Sequence, residues 1–149
     1  MAISTENIAL ASFGSRVALT TSEHPKHPSS NIIDGDVKTF WVSTGLFPQE
    51  ITVSFANPAM ISKIIIVSMK VGHLSVDSSS TELPVNFSTI LDQVVEDTDG
   101  SLQTISISPK EAQVTRHLRL KINKGYAPFV SIHRLVVYGD HNIPAEMLH

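Results

Sequence analysis

Two carboxylates stand on either side of a glycine at Asp34-Gly35-Asp36, and a hydroxyl follows at Thr39. Carboxylate and hydroxyl oxygens are hard donors, and a glycine lets the backbone turn sharply enough to bring several of them to one point. The stretch therefore has the chemistry of a loop for a hard cation. The same residues also have a reading without an ion, because short aspartates in a tight turn accept hydrogen bonds from nearby backbone N–H groups. Phe40 and Trp41, the latter the only tryptophan, come directly afterwards. Rings of that size are expected to anchor the loop in the core beneath it.

Other reactive side chains form no comparable pattern. His24 and His27 each precede a proline, which pushes them toward extended backbone. A zinc site on the pair lacks cysteine and further ligands in sequence reach, so solvated loop histidines are the expectation. Serine, histidine and aspartate all occur, yet no G-x-S-x-G, H-E-x-x-H or P-loop pattern is present. The chain reads as a non-enzymatic binding or scaffolding module.

The 149 residues, 42% apolar and 17% charged, suffice for one well-packed domain without a composition shift. A formal charge of -3 with neutral histidines argues against a nucleic-acid partner. Without cysteine no disulfide staples the fold. The start MAISTENIAL has neither a basic nor an apolar signal region, so an intracellular protein is expected. The apolar run Ile64 to Val67 is far too short to cross a bilayer, so no direct membrane insertion is implied. Asn86-Phe87-Ser88 matches a glycosylation acceptor pattern that has meaning only in a secreted chain.

The elements that must hold the loop are strands. Ser15 to Thr21 alternates, with Val17 and Leu19 on its apolar face, and Ser22 to Ser30 is loop. Ile51, Val53 and Phe55 form a half-buried strand predicted to end at Asn57-Pro58. Ile61 to Met69 suits a central strand buried on both faces. Val71 to Val76 continues the sheet, with a possible bulge at Gly72. Asp77 to Gly100 is a long acidic excursion that allows a short helix or an irregular strand. Ile105 and Ile107 begin a strand ending at Pro109. His117 to Asn123 alternates strictly, Leu118, Leu120 and Ile122 opposing Arg119 and Lys121, and Val130 to Gly139 is the last strand. Leu46 and Phe47 are either tucked into the core, which their size favours, or exposed for a partner. Tyr126 and Phe129 have the same choice between core and sugar stacking, core again being favoured. About eight strands with Pro, Gly, Ser and Asn turns predict an all-β protein, an antiparallel β-sandwich of jelly-roll type over residues 1–140, with a polar tail over 141–149.

On these residues a resemblance rests. HPSSNIIDGDVKTFWVS, with a terminal strand closing in VVYG, resembles the discoidin-like, galactose-binding-like jelly roll: Asn31, Ile32, Ile33, Asp34, Gly35, Asp36, Thr39 and Trp41 match its pattern. Over nearly the whole chain, TGLFPQEITVSF and FVSIHRLVVYG are similar to the family of small jelly-roll subunits of intraflagellar transport complex B. The resemblance implies a non-enzymatic subunit in the cilium or flagellum and cytoplasm. It would form a heterodimer with a Rab-like small GTPase, associate with other complex B subunits and support ciliary cargo transport. It also implies a structural calcium ion, with Asp34 and Asp36 as ligands, Thr39 through its hydroxyl or carbonyl, and Asn31 through its main-chain carbonyl. Many calcium-binding members carry a glutamate in the last strand where this chain has His133-Arg134, and arginine cannot coordinate a cation. A calcium-stabilised carbohydrate-binding module is the alternative, with His24, His27, Trp41 and Phe129 as candidate sugar contacts.

Overall fold

The computed structural model describes residues 6–111 and 113–144. Within them the chain forms eight strands: β1 (Arg16–Thr20), β2 (Trp41–Val42), β3 (Gln49–Met69), β4 (Val71–Ser79), β5 (Ser88–Val94), β6 (Gln103–Ile107), β7 (Val114–Gly125) and β8 (Ser131–Asp140). Two short 3-10 turns, Ala11–Phe13 and Ser29–Ile33, are the only helical pieces among the described residues. Every strand pairing is antiparallel.

β3 organises the sandwich. Its first half pairs with β1 and β7, its second half with β6 and β8. One layer is therefore β1-β3-β7-β4-β5 and the other β2-β8-β3-β6. Ile51, Val53, Leu118, Leu120, Ile122, Leu74 and Val76 point inward from the first layer. They meet Ile64, Ile66, Ile105, Ile132, Leu135, Val137 and Trp41 from the second in one buried cluster. The alternation expected for His117 to Asn123 is observed, as is the register irregularity beside Gly72.

Three expectations change, and of the two forms allowed for Asp77 to Gly100 the strand is the one found. The strand predicted to end at Asn57-Pro58 runs through both residues, making β3 21 residues long. Its pairing with β7 skips from Ser54 to Ala59, so Pro58 sits where no ladder hydrogen bond is required of it. Ile61 to Met69 is deeply buried on one face only, since Ile65, Val67 and Met69 are half-buried. Leu19 faces outward because β1 bulges between Val17 and Leu19, and a one-residue slip moves every later side chain to the other face. The stretch from Asp77 to Gly100 contains no helix: it completes β4, then forms β5 along the outer edge of the first layer. Of the polar tail, residues 145–149 lie outside the described residues. His141 Nδ1 sits 2.9 Å from the carbonyl of Pro58.

Candidate functional site

The 3-10 turn Ser29–Ile33 buries Ile32 and Ile33 and delivers the chain to an exposed bend. At that bend Gly35 has φ +78, a left-handed conformation that glycine adopts without a Cβ penalty. Asp34 Oδ1 accepts the backbone N–H of Asp36 at 2.8 Å, and Asp36 Oδ1 accepts that of Lys38 at 2.8 Å. The hydroxyl of Thr39 gathers the remaining oxygens: 2.6 Å from Asp34 Oδ2, 3.2 Å from the Asp36 carbonyl and 3.4 Å from the Asn31 carbonyl. Asn31 then ties the bend to the next strand, donating from Nδ2 to the carbonyl of Phe40 at 3.0 Å.

All four sequence-nominated residues thus converge on one point. The donor set is all oxygen and fits a hard cation in type. Yet of the two carboxylates only that of Asp34 meets the Thr39 hydroxyl, Asp36 joining through its carbonyl while its carboxylate caps Lys38, and calcium takes six to eight oxygens. Among the described residues no group of three or more His, Cys, Asp or Glu side chains comes together to hold a metal. Arg134 and Tyr138 of β8 line the depression that also includes Gly35, Asn7 and Leu10. Arg134 therefore lines the flank of the bend, in the stretch of β8 where the resemblance placed a glutamate.

The two aromatic residues behind the bend separate. Trp41 is fully buried, and its indole N–H donates to the carbonyl of Ser22 at 2.9 Å. Phe40, expected in the core, lies half-buried on the opposite face of the chain, stacked against His27 at 4.3 Å and His133 at 5.0 Å. His24 and His27, expected to be solvated, are half-buried instead, with ring centroids 5.4 Å apart. Burial lowers the pKa of His133 below the ordinary histidine value. Glu23 is held below the usual carboxylate range because the hydroxyl and backbone N–H of Ser29 both donate to it, at 2.6 and 2.7 Å.

Sequence reasoning passed over Gln49, which is buried at the start of β3. Its Nε2 donates to the Leu46 carbonyl at 2.5 Å and its Oε1 accepts the Ser22 hydroxyl at 2.6 Å. A glutamine opening a strand directly after Leu46-Phe47-Pro48 was the available signal. The core reading of Leu46, Tyr126 and Phe129 is overturned: Leu46 is 90% exposed and Phe129 60%. Phe47 packs partly against the core. As a set of sugar contacts, His24, His27, Trp41 and Phe129 fail at Trp41, which has no surface to offer.

A two-layer jelly roll with an oxygen-rich bend ahead of a buried tryptophan defines a class, and residues 17–135 match the F5/8 type C domain. The fold is shared with the family 32 CBM from C. perfringens NanJ, solved in complex with galactose. That likeness has a TM-score of 0.72 at 18% identity and covers 83% of this chain and 93% of the other. A human protein, intraflagellar transport protein 25 homolog, is 36% identical over 133 residues, spanning 89% of this chain and 92% of that one. Intraflagellar transport protein 25 of Chlamydomonas reinhardtii is 28% identical over 130 residues, spanning 85% of this chain and 66% of its own length. The chain belongs to the intraflagellar transport protein 25 family.

Proposed function

We propose that this protein is a non-enzymatic subunit of intraflagellar transport complex B, in the cilium or flagellum and the cytoplasm. In this reading it pairs with a Rab-like small GTPase, joins other complex B subunits and supports ciliary cargo transport. The observation that carries the reading is the 36% identity to the human homolog across 92% of that protein. A scaffolding role agrees with the chemistry inside. Ser54 Oγ lies 2.7 Å from His117 Nδ1, an arrangement able to activate a hydroxyl, but both residues are buried. His117 Nε2 is spent on the carbonyls of Thr81 and Glu82 at 2.9 and 3.1 Å, so the pair serves as a brace.

The proposal includes a calcium ion at the bend, held by the carbonyl of Asn31, the carboxylates of Asp34 and Asp36, and Thr39 through its hydroxyl or carbonyl. The ion would supply a cross-link between the two ends of the loop. Asn31 and Thr39 already bring those ends together, and Trp41 and Ile32 fix them to the core. With few charged ligands and Arg134 on the flank, binding is expected to be weak.

Co-expression with a Rab-like small GTPase followed by size-exclusion chromatography tests the pairing. Co-elution at micromolar concentration is expected, and separate elution refutes it. Calorimetric titration with calcium tests the ion: heat from the wild type that Asp34→Ala abolishes is expected. Absence of both heat and a calcium-dependent rise in Tm removes the ion while leaving the pairing intact.

A further inference from the structure

β6 ends at Ile107, and Ser108-Pro109-Lys110 follows at the rim of the second layer. Ser108 is the only serine or threonine in the chain that precedes a proline. It is exposed, and its hydroxyl makes no hydrogen bond among the described residues. Proline fixes its own φ and pushes the residue before it toward extended backbone. A free hydroxyl on extended chain directly ahead of a proline is what the cleft of a proline-directed protein kinase accepts.

The surroundings suit the product of such a reaction. Ile64 on β3 pairs with Ile107 on β6, and one step further in that antiparallel register Lys63 comes opposite Ser108. Ile64 and Ile107 are buried, so by alternation Lys63 and Ser108, both exposed, lie on the face of the layer turned away from the core. Directly opposed residues in an antiparallel pair bring their Cβ atoms to about 5 Å of each other. Lys110, also exposed, stands two residues beyond Ser108. Among the described residues neither lysine belongs to an ion pair. Two unpaired ammonium groups thus flank one unpaired hydroxyl, with Glu111 the single opposing charge on the same loop.

The loop is also able to lift. Ser108 and Pro109 border a groove between β5 and β6, the edge strands of the two layers. Pro109 is half-buried and borders a small hollow with Ile61 and Thr115. It lacks part of its packing there, so drawing it out into a kinase cleft costs little.

We propose that Ser108 is a phosphorylation site for a proline-directed kinase, and that Lys63 and Lys110 receive the phosphate. The kinase transfers the γ-phosphoryl group of ATP. The bond from the γ-phosphorus to the β,γ-bridging oxygen breaks, a bond to Ser108 Oγ forms, ADP leaves, and the hydroxyl proton passes to a carboxylate of the kinase. The product brings a charge of about −2 and three strong acceptors to the end of β6. Charge-assisted hydrogen bonds to Lys63 then fasten the loop after β6 to β3. The assignment is independent of the pairing proposed above.

The test incubates the full-length protein with a purified proline-directed kinase and magnesium ATP, followed by intact mass and peptide mapping. Wild type and Ser108→Thr are expected to gain one phosphoryl group at residue 108, and Ser108→Ala none. Lys63→Gln/Lys110→Gln is phosphorylated in parallel, and phosphorus NMR titrates both products. The second ionisation of phosphoserine, ordinarily near about pH 6, should occur in wild type at a pH lower by about 0.5 or more than in the double lysine variant, because adjacent cations favour the dianion. Phosphorylation should also raise Tm in wild type and leave it unchanged in the double lysine variant. The exchanged side chains are exposed, so the unphosphorylated forms should melt alike. Wild type that gains no phosphoryl group overturns the site, as does Ser108→Ala that gains as much as wild type. Equal ionisation in wild type and the double lysine variant overturns the receiving role of Lys63 and Lys110.

Discussion

Arg119 on β7 reaches across to Asp77 on β4 with two nitrogens, Nε at 2.9 Å and Nη2 at 2.8 Å from the same carboxylate oxygen. The other oxygen accepts the hydroxyl of Thr89 on β5 at 2.8 Å, and the ring of Phe87 lies 4.3 Å from the guanidinium carbon. Three strands and the approach to β5 are thereby joined at one buried carboxylate. Arg119→Met leaves that carboxylate with a single hydroxyl and is expected to cost about 3 kcal/mol, the low end for a broken buried pair because Arg119 is partly in water. Asp77→Leu/Arg119→Met should recover most of the loss. Urea melts of the single and double variants check this, and a double variant as unstable as Arg119→Met refutes it.

His117 fastens the 80–87 loop to the first layer. Its ring accepts or donates toward Ser54 on one side and two loop carbonyls on the other, while Arg116 Nε donates to the Ser80 carbonyl at 3.1 Å. His117→Ala strands the Ser54 hydroxyl and both carbonyls and should destabilise by about 1–3 kcal/mol per group that water cannot reach. Amide exchange should quicken over residues 81–87 and stay unchanged in β8.

Protonation of His133 opposes folding. Burial lowers its pKa in the native state, so as pH falls the unfolded chain takes up the proton first. Stability from this residue is complete above the ordinary histidine value of about 6.5 and is lost as pH drops below it toward the native value. Melting temperature measured across this range should fall less steeply in His133→Gln than in the wild type. Identical slopes would dismiss the residue as a source of acid sensitivity.

Gly125→Ala is expected to disturb the loop after β7. A Cβ there would lie 2.6 Å from Val130 Cγ1 and 2.7 Å from Phe47 Cζ, so Phe47 must swing outward or the loop must shift. Overpacking of this kind costs about 1–3 kcal/mol. Thermal melts measure the cost, and a drop confined to below about 0.5 kcal/mol would show that the loops yield freely.

What the amino acids disclosed follows from how local each feature is. The strict alternation of Leu118, Leu120 and Ile122 can take only one sheet orientation, and the Asp34-Gly35-Asp36 bend closes within a few residues; both were legible. Leu19 was misread because one bulged residue inverts the pattern, and nothing within Arg16 to Thr20 announces the bulge. Asn57-Pro58 looked like an end because proline lacks a donor. It proved a bend because β3 changes partners there, which depends on β6 and β8 far along the chain. Leu46 and Phe47 are neighbours of similar hydrophobicity with opposite fates. The distinction rests on Gln49 and Gly125, which only the folded chain brings beside them.

The shared strand has a mechanical corollary. Since β3 is an interior member of both layers, neither layer can peel away while the other survives, and a rupture at the Pro58 bend would leave two incomplete fragments. Loosening should therefore be confined to the rims, at β1 and β5 in one layer and β2 and β6 in the other, and beyond that the shell should yield in a single concerted step.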